Sequence, residues 1–128
     1  MKMRSQRSVT ESSGATLVEF ALTAPLFFAL LFGAIQAGLA LWTQFGLEYG
    51  SDAAARCASV NASTCGTADQ ISGYAASHAL GLSLPSSVFS AATSGCGNQV
   101  TASYNYVFYT LFFGAPTLTL TARSCFPA

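Results

Sequence analysis

Few side chains in this 128-residue chain are equipped for chemistry, and the first is a carboxylate in oily surroundings. Glu19 is the only ionisable residue between Leu17 and Ile35, with Val18 before it and Phe20, Ala21 and Leu22 after it. An acid at the centre of a bilayer costs roughly 3 kcal/mol, and less near its edge, so it calls for a partner. The second group is four thiols, Cys57, Cys65, Cys96 and Cys125, which suit disulfides in an oxidising compartment. Zinc is the rival use of such thiols, but there is no C-x2-C pair. The third is a single imidazole, His78, which shares a stripe with Ile71, Tyr74 and Ala75 and reads as a stripe-edge residue. Hydrolysis needs a nucleophile, a base and an orienting group together, and one histidine with five carboxylates and many serines does not identify such a set. No glycine-rich phosphate loop follows a strand. The expectation is a non-enzyme, with no catalytic residues, no cofactor, no metal and no small-molecule substrate.

The element that carries Glu19 is read from length and charge. The 19 residues from Leu17 to Ile35 span roughly 28 Å as a helix, near the thickness of a hydrocarbon core. With 52% hydrophobic and 8% charged residues, part of the chain is expected outside water, and a formal charge of zero gives no reason to expect nucleic acid. Lys2, Arg4 and Arg7, opposed only by Glu11, precede the oily run, which predicts a cytoplasmic start and an exported remainder after Trp42. Trp42 fits as an interfacial anchor. A cleaved secretory signal ending at Gly38-Leu39-Ala40 is the rival reading, but its apolar core would be about 7 to 15 residues, shorter than this one. A buried core helix is also weighed, against a head too small to cover it. Pro25 predicts a modest kink, and Ala29, Gly33 and Ala37 give a small-residue face on which another helix can pack.

The stretch from residue 12, "SSGATLVEFALTAP", reads as glycine, four residues, glutamate, phenylalanine, then an apolar helix. It resembles the type IV prepilin processing site of the Flp/Tad branch. Over roughly residues 14 to 60 the chain is similar to TadE-like minor pilins, on Gly14, Glu19, Phe20, Ala21, Pro25, Phe32, Gly33, Gly38, Ala54, Ala55, Arg56 and Ala58. The resemblance implies cleavage after Gly14 by a membrane prepilin peptidase, which removes a basic leader and leaves a new amino group on Ala15. It also implies that Glu19 offers the compensating charge to the amine of a neighbouring pilin subunit. Further implied partners are the membrane and the inner-membrane pilus assembly platform. The chain departs from the family pattern in one respect: Ser12 and Ser13 precede the glycine, where members commonly carry cations, and the nearest cation is Arg7.

Beyond the membrane the helical pattern continues. Phe45, Tyr49, Ala53 and Cys57 recur at four-residue steps with Val60 nearby, and Gln44, Glu48, Asp52 and Arg56 take another face, which predicts one helix over about 15–59 whose second half docks a head. Thr67 and Gln70 form a capping box, and helical spacing then runs through Leu82 before Gly81 and Pro85 interrupt it. Residues 100–109 and the run from Thr117 to Arg123 alternate as a hairpin joined through "LFFGAP", with a third strand near Val88 to Ala92. The fold class is therefore α+β, a long amino-terminal transmembrane helix continuing into a small pilin-like head with one short helix and a small antiparallel sheet. The tip, Leu111-Phe112-Phe113, reads first as buried by the preceding loop, and alternatively as an apolar contact with a partner subunit or the membrane surface.

Two bridges are expected, since a head of about 70 residues has little core and a disulfide adds about 2 to 4 kcal/mol. Of three possible pairings, position on the helix stripe and strand parity favour Cys57 with Cys65 and Cys96 with Cys125, leaving the others open. The organisation expected is a leader over 1–14, a transmembrane and amphipathic helix over 15–60 and a disulfide-stapled exported head over 61–128. The functional expectation is a minor pilin or pseudopilin of a bacterial Tad-type system in the inner membrane, with its amino terminus cytoplasmic. The alternative is an unprocessed single-pass anchor with a small extracytoplasmic binding domain.

Overall fold

A capping box opens the short helix of the head, as the sequence predicts. In the computed structural model the Thr67 side chain accepts from the Gln70 amide at 3.3 Å, and Gln70 Oε1 accepts from the Thr67 amide at 3.2 Å. The structure describes residues 8–110 and 112–128, with side chains described from Gly14 onward apart from residue 111. Lys2, Arg4 and Arg7 of the basic leader, and Leu111 of the tip, therefore lie outside the described residues, as do the side chains of Glu11, Ser12 and Ser13.

The elements are α1 (Ser8–Val60), α2 (Ala68–Ser77), a 3-10 turn (Ser86–Val88), β1 (Phe89–Ser94), β2 (Gly97–Val107) and β3 (Thr117–Phe126). The three strands form one antiparallel sheet in the order β1-β2-β3, with Ala102 opposite both Phe89 and Ala122. The fold is α+β, as expected. The chain divides between Ala37 and Gly38 into two units.

In the second unit, Leu47, Ala54 and Ala55 of α1 pack with Ala75 and Ala79 of the α2 region and with Phe89, Val100, Ala102, Leu120 and Ala122 of the sheet. Strand alternation explains which sheet residues enter: Val100 and Ala102 face inward, while Ser103 and Asn105 face out. The outer face is polar, with Thr119 donating to Asn105 Oδ1 at 2.9 Å and Arg123 to Gln99 Oε1 at 2.8 Å.

Two expectations need correction. The predicted docking stripe of α1 is misplaced: Phe45 and Tyr49 are 60% and 55% exposed, and Val60 is 83% exposed. The buried residues of this part of α1 are Ala40, Thr43, Gly46, Leu47, Gly50, Ser51, Ala54 and Ala55, with Cys57 at the end. A strict four-residue step drifts about 40° around a helix at each repeat, so such a series leaves any one face after a few turns. Close approach settles the choice. A Cβ on Gly50 would lie 2.7 Å from the Ala75 carbonyl oxygen, and one on Gly46 would collide with Leu82 and meet the Ala79 carbonyl oxygen at 3.0 Å.

The second correction concerns α2, which ends at Ser77 rather than continuing to Leu82. His78 caps it, its amide donating to the carbonyls of Tyr74 and Ala75, and the chain then turns through positive φ at Leu80 (51°) and Gly81 (77°). The turn leaves Ala79 in the core although it is no longer helical.

Direct contacts align β3 with α1 inside this unit. Gln44 Nε2 donates to the Thr121 carbonyl at 2.9 Å, the Ser124 hydroxyl donates to Asp52 at 3.1 Å, and the Arg56 guanidinium lies 4.8 Å from the centroid of the Phe126 ring. Asn98 of β2 donates to the Ser59 hydroxyl at 3.3 Å. The four cysteines close as Cys57–Cys65 and Cys96–Cys125, with Cα separations of 5.7 and 6.2 Å, which is the pairing that position favoured.

Gly50→Ala is expected to lower the stability of the head by about 1 to 3 kcal/mol, because it overpacks two backbones. Gly73→Ala, on the open side of α2 with nothing within 4 Å of the new methyl, should instead be neutral or stabilising by up to about 1 kcal/mol. Urea unfolding of the two variants in detergent micelles reads the difference in sign. The bridges should differ too: loop-closure entropy assigns roughly 2.5 kcal/mol to the separation of 8 residues and roughly 3.6 kcal/mol to that of 29. Removing Cys96–Cys125 by paired serine substitutions should therefore cost about 1 kcal/mol more than removing Cys57–Cys65 by the same assay.

Candidate functional site

Gly14, Ala15, Glu19 and Phe20 all lie on α1, and all four are exposed. Ala15 and Glu19 stand one turn apart on the same side of the helix. A Cβ placed on Gly14 would meet nothing within 4 Å, so no packing contact explains the glycine there. Its local effect is on the helix itself: glycine is about 1 kcal/mol less favourable than alanine in a helix interior, and serine is also a poorer helix former. Ser12, Ser13 and Gly14 together make a run of weak helix formers within α1.

Among the described residues, no hydrogen bond or ion pair satisfies the Glu19 carboxylate. Its neighbour in the apolar run is handled differently. The Thr23 hydroxyl donates back to the Glu19 carbonyl oxygen at 2.9 Å, so threonine hides its own polarity one turn earlier along the helix. Helix α1 continues through Pro25, which supplies no amide to the Ala21 carbonyl.

Around these residues the helix is apolar on every side. Leu17, Phe20, Leu22, Leu26, Phe27, Phe28 and Leu30 are each at least 60% exposed, and none of the most apolar 18-residue window is buried. A helix that is hydrophobic all round belongs either to a protein core or to a membrane, and the described residues of this chain do not cover it. By length and composition, α1 is the one candidate membrane span among the described residues.

The other residues singled out in the sequence have local partners. His78 Nδ1 is 2.9 Å from the Tyr74 carbonyl oxygen and 3.0 Å from the Ser77 hydroxyl, and its ring stacks on Tyr74 with centroids 4.0 Å apart. These contacts tie it to the end of α2. The four cysteines are all in disulfides.

Two features escaped the sequence reading. Gly46 and Gly50 stand four residues apart, a spacing that signals close helix approach, and they supply it within the head. Trp42, Phe45 and Tyr49, left outside the core, line an open groove with Leu80, Glu48 and Asp52. The three-four-residue spacing of these aromatics was legible, but it gave no sign of which face the head would cover.

Residues 14–56 match the family model described as TadE-like protein. No curated protein and no solved structure matches the chain. The matched segment begins on Gly14 and ends on Arg56, so it takes in Glu19, the apolar part of α1 and both packing glycines. Over these residues, about a third of the chain, the sequence is similar to that family.

Proposed function

We propose that this chain is a minor pilin or pseudopilin of a Tad-type pilus assembly system, cut after Gly14 by a prepilin peptidase and working by assembly, not catalysis. The observation that carries the reading is an exposed glutamate without a side-chain partner among the described residues, five positions after the glycine at which the family match starts. In this reading residues 1–14 are the leader, 15–60 the transmembrane and amphipathic helix, and 61–128 the exported head. The protein lies in the inner membrane with its amino terminus cytoplasmic, where its partners are the peptidase, other pilin subunits and the assembly platform.

The mechanism follows from charge and from helix geometry. The Gly14–Ala15 peptide is inside α1, so a peptidase must first unwind the helix there, and the weak helix formers at 12–14 lower the cost. Scission creates an ammonium group on Ala15 at the start of the apolar run. The Glu19 carboxylate of a neighbouring subunit then gains a cation, and the amine gains an anion, in a medium that penalises either one alone. Pairing of the two fixes the axial register of adjacent helices.

The departure at Ser12 and Ser13 keeps a second reading in view, an unprocessed single-pass anchor carrying a small extracytoplasmic binding domain. Amino-terminal sequencing of membrane-extracted protein separates the readings. A start at Ala15 supports the pilin, a retained Met1 the anchor, and a start at Leu41 ordinary signal cleavage. Gly14→Leu should abolish processing while membrane insertion persists, and because Gly14 packs against nothing, loss of fold is not expected to confound the result. Glu19→Ala should be cut normally yet co-purify poorly with other subunits. Unchanged assembly by that variant would show that the carboxylate does not set register.

A further inference from the structure

The hairpin of β2 and β3 ends in two exposed aromatic rings. Phe112 and Phe113 are 83% and 87% exposed, which overturns the expectation that the preceding loop buries them. They are also held by a built turn. The Phe108 amide donates to the Pro116 carbonyl at 2.9 Å, and the Thr110 amide and hydroxyl both donate to the Gly114 carbonyl, at 3.0 and 2.7 Å. The Phe113 amide in turn donates to the Thr110 hydroxyl at 3.1 Å, and Gly114 adopts φ 75°. The rings point outward from hydrogen-bonded backbone.

The direction of the hairpin is fixed by the contacts between β3 and α1 inside the head. From Gln44 to Asp52 the helix rises about 12 Å, and from Thr121 to Ser124 the strand advances about 10 Å. From Asp52 to Arg56 the helix rises about 6 Å, matched by about 7 Å from Ser124 to Phe126. Helix and strand therefore run side by side in the same sense. Followed backwards, β3 reaches Thr117 about 13 Å before Thr121, with its turn beyond, whereas Gly38 is only about 9 Å before Gln44. The tip thus stands at the Gly38 end of the head.

Surface character changes along that axis. Leu39, Leu41, Trp42, Tyr109 and Leu118 at the same end are each at least 48% exposed, while at the other end Ser63, Thr64, Ser94 and Gly95 are exposed beside a single exposed large apolar residue among those described, Val60. No Asp, Glu, Lys or Arg occurs between Asp69 and Arg123, so the hairpin from Gly97 to Ala122, tip included, carries no charged side chain to oppose entry into lipid. Tryptophan and tyrosine favour the headgroup layer and phenylalanine the acyl boundary, which is the order in which this end presents them.

We infer that the Phe112–Phe113 tip inserts into the phospholipid bilayer that α1 crosses, giving the head a second attachment to the same membrane. The inference rests on the reading of α1 as a membrane span. Insertion of two rings on a rigid hairpin restricts rotation of the head about the α1 axis, which a single helix does not.

The test uses the full chain in phospholipid vesicles, with Trp42→Phe and Phe112→Trp placing one indole at the tip. Lipids brominated on their acyl chains should quench that indole by about twofold or more and shift its emission to the blue, as for side chains buried about 5–10 Å deep. Adding Phe113→Asp should relieve the quenching, while the disulfides remain closed. An indole unquenched by bromolipid, in protein that resists alkaline carbonate extraction, overturns the tip inference and leaves the membrane span standing. An indole shielded from bromolipid and aqueous quencher alike overturns it in favour of a protein partner. Release of the whole chain by carbonate overturns both readings.

Discussion

Backbone meets backbone where α1 passes α2 at Gly50 and the turn after α2 at Gly46, and the arrangement of the head depends on that approach. Side chains at these positions would push α2 and its turn off α1 and lift Ala75 and Ala79 away from Leu47 and Ala54. Six of the ten buried core residues are alanine, so the core gains its contacts by proximity and not by large apolar groups. Such a core removes little apolar surface from water, which gives the two disulfides their structural reason. The tightness also has a cost: Ser51 is fully buried, and its hydroxyl has no hydrogen-bond partner among the described residues, a penalty of about 1 to 3 kcal/mol.

The parts of the fold written as local chemistry were legible. Thr67 and Gln70 announced the start of α2, and the alternation over residues 100–109 announced a strand of the hairpin. Gly114 and Pro116 marked the hairpin turn. What the sequence hid was tertiary preference among equally regular patterns. Phe45 and Tyr49 looked like core because they are large and periodic, whereas the structure buries the small face beside them. The end of α2 was hidden for a related reason, since Ala79 and Leu82 keep facing the core after the helix has unwound. Phe112 and Phe113 were misjudged because apolarity is informative about preferred surroundings but silent on which surroundings are available.

At the amino-terminal end, legibility was of another kind. Glu19 stands out against its background because a membrane helix usually disposes of polarity internally, as Thr23 does by turning its hydroxyl onto the preceding turn. A carboxylate has no donor of its own and cannot do the same. Its needs are therefore directed outside its own helix, and the apolar surroundings make any cation that meets them unusually valuable. On the proposed pilin reading, one acid in a long hydrophobic run encodes an association preference without any shaped binding pocket.

The alignment of β3 with α1 has a mechanical consequence. A load entering the head along α1 at Gly38 would act parallel to the contacts at Gln44–Thr121, Asp52–Ser124 and Arg56–Phe126. Contacts loaded in that direction share the force in shear, whereas contacts loaded crosswise open one after another as a zipper does. The Cys57–Cys65 and Cys96–Cys125 bridges lie toward the far end of the same axis and close the loops that would otherwise pay out chain. Traction applied through the helix would therefore be opposed by several contacts at once.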